Sequence, residues 1–173
     1  MDRTALEELY AYTDFAWARY AHAIDAHGGN ELVNREAPGS GWPTLRTALV
    51  HVVSVYDGWL NGEWALNLGE RPPFKRSEVL TWDQLQEYRE ITRATCQRAL
   101  HVDDAIFHEI HVIEAGYGPE RMRHRDILAN MLLHERGHHG DLNTLLYQLG
   151  VPAPLVDYRF FITRPDEFLV DEE

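Results

Sequence analysis

Residues Ile127–Gly150, ILANMLLHERGHHGDLNTLLYQLG, decide how the chain is read. Ile127, Met131, His134, His138, Leu142, Leu145 and Leu149 recur every three or four positions, so they share one helical face. The spacing predicts one long helix whose apolar stripe is interrupted by two histidines one turn apart. Imidazoles at i and i+4 can meet on a single metal ion. With 10 histidines in 173 residues, the pair fits core or surface histidines as well.

A partner for the pair lies on the predicted second helix, Thr44 to Leu68. Leu45, Ala48, Val52, Val55 and Trp59 give that helix an apolar face, and His51 sits within it. Alone, His51 reads as a hydrogen-bonded core residue. In a helical bundle it can approach the Ile127–Gly150 helix and complete a three-histidine site with positions open for water or substrate.

The remaining segments read as supports. A first helix is predicted from Thr4 to His27, with Thr4 as its cap and Gly28-Gly29 as its end. Asn30–Pro43 reads as a linker, as does Gly69–Ser77 with its Pro72-Pro73 pair. A third helix starts at Thr81, with Gln84 in the capping-box position. Val102–Pro119 is expected to form a short extended segment or a hairpin arm. Arg121, Arg123, His124 and Arg125 are the only basic cluster. It reads as a solvated helix start, or as a patch for an acidic group on a small substrate. After Gly150, Pro152 and Pro154 stop the helix, and the apolar tail with Leu155, Tyr158, Phe160 and Phe161 should dock across the bundle.

Composition narrows the classes. The length fits one domain, residues 1–173. Sixteen Lys and Arg stand against 28 Asp and Glu, a formal net charge of -12, which disfavours nucleic acid and anionic membrane surfaces as partners. The lone Cys96 cannot form an internal disulfide and reads as a small buried hydrophobe. No export signal and no membrane-spanning stretch is predicted, so a cytoplasmic location is expected.

Two motif matches compete at the histidine pair. His134-Glu135-Arg136-Gly137-His138 formally matches HExxH, in which the glutamate is the general base of a zinc peptidase. No third histidine follows His139 to extend it. Glu135 and His138 also match one half-site of a di-iron carboxylate bundle, but a second Glu-x-x-His is missing.

Over nearly its full length the chain instead resembles the DinB/YfiT-like superfamily of small helical metal-binding proteins. The resemblance runs through Tyr12, Trp17 and Tyr20, then Pro43-Thr44-Leu45-Arg46 ahead of His51 and Trp59. It ends in HERGHHGDLNTLLYQLG and the Pro154–Asp157–Tyr158 tail. His51, His134 and His138 fall on the family's metal-ligand positions. His139 and Asp141 depart from the basic residue and glutamine common there, which leaves the role of Asp141 open between orienting a ligand and capping a helix.

The resemblance implies an all-α, up-down-down-up four-helix bundle, often a homodimer, with a short extended segment and a docked C-terminal tail. It further implies one divalent metal ion, zinc, nickel or iron, and a low-molecular-weight thiol as co-substrate in some members. The expected activity is a thiol-dependent transfer on a small-molecule substrate. Hydrolysis by activated water and a non-catalytic metal-binding role in stress or scaffolding are the alternatives. Tyr56, Trp59 and Trp17 are candidate pocket walls, and equally candidate core residues.

Overall fold

The structure, a computed structural model, describes residues 1–39, 41–61, 75–115 and 118–170. Four long helical units form the bundle: α1 (Arg3–Ala26), α3 (Leu45–Asn61), α4 (Trp82–Leu100) and the pair α6 (His124–Gly137) and α7 (His139–Gln148). The segments α2 (Asn30–Asn34), α5 (Asp104–Phe107) and α8 (Tyr158–Thr163) are short. Strands β1 (Ile110–Ala115) and β2 (Gly118–Arg123) form the one sheet among the described residues, an antiparallel hairpin pairing Ile110 with Arg123 and Val112 with Arg121.

Local chemistry sets the boundaries. Asp2 rather than Thr4 caps α1, its carboxylate accepting from the Ala5 amide at 2.9 Å. Gly28 and Gly29 take positive φ, which lets the Gly29 amide return to the Ile24 carbonyl at 2.9 Å and close the helix. The expected linker at Asn30–Pro43 holds α2, because Leu32 and Val33 bury themselves against the bundle. Thr81 caps α4 through the Gln84 amide, and the Gln84 side chain returns to the Thr81 amide, as the sequence predicts. The predicted extension of α3 to Leu68 and the Pro72-Pro73 turn lie outside the described residues.

Two apolar clusters fix the helix directions. At one end Leu6 of α1 meets Leu60 of α3, Leu100 of α4 and Leu128 of α6. At the other, Tyr20 and Ile24 of α1 meet Leu45 of α3, Trp82 and Leu85 of α4, and Leu145 of α7. The start of α1 therefore lies with the ends of α3 and α4 and the start of α6, which is the up-down-down-up arrangement. A fully buried leucine in either cluster contributes about 1.5–3 kcal/mol relative to an exposed one.

Between the clusters lies a layer of charge. Arg89 and Arg93 follow Leu85 on α4, and Glu135 precedes α7. All three are buried. The Glu135 carboxylate meets Arg89 at 3.1 Å and Arg93 at 3.7 Å, and accepts a hydrogen bond from the Tyr56 hydroxyl. Asp14 of α1 holds the same arginines at 3.1 and 2.9 Å from its half-exposed position. Arg89 also stacks over Trp17 and Arg93 over Tyr10, at 4.0 and 3.5 Å from the ring centres.

The tail docks as expected. Tyr12 donates to the Val156 carbonyl at 2.8 Å, Phe161 packs edge-on against Tyr12 and Phe15, and Arg19 reaches the carbonyls of Arg164, Pro165 and Glu167. No helix among the described residues is long and apolar enough to cross a membrane.

Candidate metal centre

The predicted Ile127–Gly150 helix is two helices, and the joint falls on a candidate ligand. Gly137, a weak helix former, ends α6. The His138 amide then bonds the Glu135 carbonyl at 3.0 Å, a tightened i to i−3 turn, while its carbonyl accepts from the Leu142 amide to start α7. His134 therefore projects from α6 and His138 from the joint.

His51 faces them from α3. Its Nε2 lies 3.0 Å from His134 Nε2, and His138 Nε2 lies 3.2 Å from His134 Nε2. One ligating nitrogen from each histidine falls within 4.8 Å of the other two. Nitrogens sharing one ion at metal–nitrogen bonds of about 2.0–2.1 Å stand roughly 2.9–3.4 Å apart at octahedral or tetrahedral angles. The spacing and the all-imidazole donor set therefore fit a divalent transition metal.

The surroundings keep the lone pairs free. Burial first, then the facing His134 and His138, pushes His51 down to about 4, and burial lowers His134 too. Both are neutral at neutral pH, the form that ligates. His138 donates from Nδ1 to Asp141 Oδ2 at 2.8 Å, which fixes its tautomer and leaves Nε2 turned to its partners. The hydrogen bond from His138, aided by one from Trp42 Nε1 at 3.3 Å, holds the Asp141 carboxyl below its usual range against a burial cost. Of the two roles open in the sequence, the structure places Asp141 on His138. The Trp42 ring closes one side of the triad, with its centre 5.1 Å from His51 and 5.7 Å from His138.

Other candidates sit elsewhere. Glu135 is 3% exposed and committed to Arg89, Arg93 and Tyr56. Burial raises its pKa, but the two arginines and the tyrosine outweigh burial and hold it below the usual carboxylate value. Locked in this layer, it cannot serve as the mobile general base of an HExxH peptidase. His139 turns from the triad into the core, edge-on to Tyr12 and Tyr20, and burial pushes it down to about 4. Tyr56 is fully buried, and Trp17 stacks on Trp82 and donates to Gln86 at 2.9 Å, so both are core residues. Trp59 packs partly buried against the cluster around Leu6. Cys96 is buried, and that burial pushes its thiol up to about 12, so it is no nucleophile.

Arg121 lies on β2, and Arg123, its last residue, is the N-cap of α6, whose first residues are His124 and Arg125, so the cluster does mark a helix start. The strand partners of Arg123 and Arg121, Ile110 and Val112, are exposed. Ten residues of helix, about 15 Å, separate His124 from His134, so the cluster is remote from the triad.

Two features escaped the sequence. Trp42 was hidden in a segment read as linker. The ionic layer of Asp14, Arg89, Arg93 and Glu135 was the other, Glu135 being weighed only in its two motif matches. Its signal was present: Arg89 and Arg93, four apart, flank the apolar stripe of α4.

The family model of the DinB family matches residues 1–167. No curated protein and no solved structure matches the chain.

Proposed function

Since the chain belongs to the DinB family, we propose that His51, His134 and His138 bind one divalent metal ion, zinc, nickel or iron, in a thiol-dependent transferase for small molecules. The observation that carries this is the convergence of three Nε2 atoms, from α3, from α6 and from the α6–α7 joint, with His138 locked in the ligating tautomer by Asp141. A bound ion would supply Lewis acidity, favouring the thiolate of a small thiol co-substrate.

The chain's own residues do the rest. Asp141 keeps the His138 proton on Nδ1. Trp42 shields one flank of the triad from water. The ionic layer beneath positions α6 against α3 and α4, and so positions His134 against His51. The commitment of Glu135 favours transfer over HExxH-type hydrolysis, because it leaves no free base at that position. Assembly as a homodimer is part of the same proposal and is read by light scattering.

Metal content and turnover test the reading together. Purified, metal-analysed protein is incubated with small thiols and electrophilic substrates. Thiol-dependent consumption, lost in His138→Ala, is the expected result. Product formed without thiol would mean hydrolysis. A filled site with neither activity would mean a non-catalytic metal protein.

A further inference from the structure

A second set of cations lies beside the triad, unlike the remote arginines of the hairpin. Arg46, Thr47, Val50, Lys75, Arg76 and Ser77 line a pocket of about 430 Å³. Thr47 stands one helical turn before His51 on α3, so it shares that histidine's face, and Val50 is its immediate neighbour. The α3 wall of the pocket is thus one helical turn from His51 of the triad.

The pocket's chemistry is specific. In a chain of net charge -12, three cationic side chains converge on one cavity. Among the described residues none of the three is held in an ion pair. Arg46 is fixed from behind, donating from Nε to Asn34 Oδ1 at 2.7 Å and from Nη1 to the Val79 carbonyl at 2.9 Å. That leaves the other donors of its five-donor fork for a ligand. Thr47 and Ser77 line the same wall, the Thr47 hydroxyl being held by the Thr44 carbonyl at 2.7 Å. The overall field of the protein repels anions, so a local cluster of this kind is what an anion would need to settle here.

We propose that the small molecule handled at the His51–His134–His138 centre carries a carboxylate or phosphate group, and that Arg46, Lys75 and Arg76 hold it in this pocket. The assignment rests on the metal-centre reading above.

The test is calorimetric titration of the full chain with succinate and, separately, methyl phosphate, before and after metal removal. Lys75→Ala/Arg76→Ala is the informative variant, because both residues are exposed while Arg46 also ties Asn34 to Val79. One saturable site in the roughly millimolar range is expected with and without metal, about tenfold weaker in the variant, at unchanged metal content and melting temperature. Arg76→Lys should recover most of the affinity, and the tighter of the two probes identifies the group. The proposal is overturned if neither anion saturates, if the variant binds as well as the parent, or if binding needs the metal and ignores the two cations. Metal content is measured on the same samples. A parent that takes up no metal therefore sinks the centre, whereas a metal-filled parent with no anion site sinks only the pocket.

Discussion

Replacing Glu135 by alanine separates a structural glutamate from a catalytic one. The substitution removes the only carboxylate among the described residues that meets Arg89 and Arg93 from within the core, where the two arginines are 4% and 5% exposed. Deleting one partner of a buried ion pair costs about 3–5 kcal/mol, since the other charge is left uncompensated. Asp14 still contacts both arginines from the edge, which places the expected loss near the lower end of that range. For a domain of this size each kcal/mol moves the melting temperature by about 2–4 °C, so a fall of roughly 6–12 °C is expected by circular dichroism.

The sign of the pH dependence follows from the depressed carboxyl. Its stabilisation is complete above the ordinary glutamate value of 4.5 and is lost as pH falls through the lower folded value. The gap between parent and variant should therefore shrink in acid below that window. Metal bound per folded molecule should stay the same, because the carboxylate is spent on Arg89, Arg93 and Tyr56. A variant with parental melting temperature and lost metal would refute this account and return Glu135 to the metal site.

Other outcomes follow from the same geometry. His51→Ala and His134→Ala should each abolish stoichiometric metal uptake in a protein that still shows helical circular dichroism. Retained metal in either variant removes that residue from the ligand set. Asp141→Asn keeps the shape but weakens the hold on His138, so metal affinity in a competitive chelator titration should drop about 10–100-fold with little change in melting temperature. Cys96 should not react with a thiol reagent near pH 8 in the native protein, and one thiol per chain should appear in denaturant. Rapid native labelling would show that this part of the core opens.

The bundle was legible because each long helix carries apolar residues at helical spacing, and because the Thr81–Gln84 box announces α4. The His134–His138 pair was legible from spacing alone. His51 required the resemblance, since one histidine on an apolar face has a plain core reading. The break at Gly137–His138 was not legible: the apolar period continues across it, and only the tightened turn to Glu135 reveals it. Nor was the charge layer. Arg89 and Arg93 only flank the apolar stripe of α4, and the groups that meet them in the folded chain, on Asp14, Tyr56 and Glu135, come from three other parts of the sequence. The hydrogen bond from His138 to Asp141 was one of two local options, and side-chain geometry decided it.

The parallel course of α3 and α4 has a consequence for how the molecule is made. His51 and His134 are 83 positions apart, and α6, which brings the second, emerges only after both down-running helices have been synthesised. Loops this long close late, after their entropy has been met by other contacts. A nascent chain released before α6 would hold one imidazole and no cage. Capture of an ion by all three nitrogens would then report, in a single spectroscopic event, that the whole topology has closed.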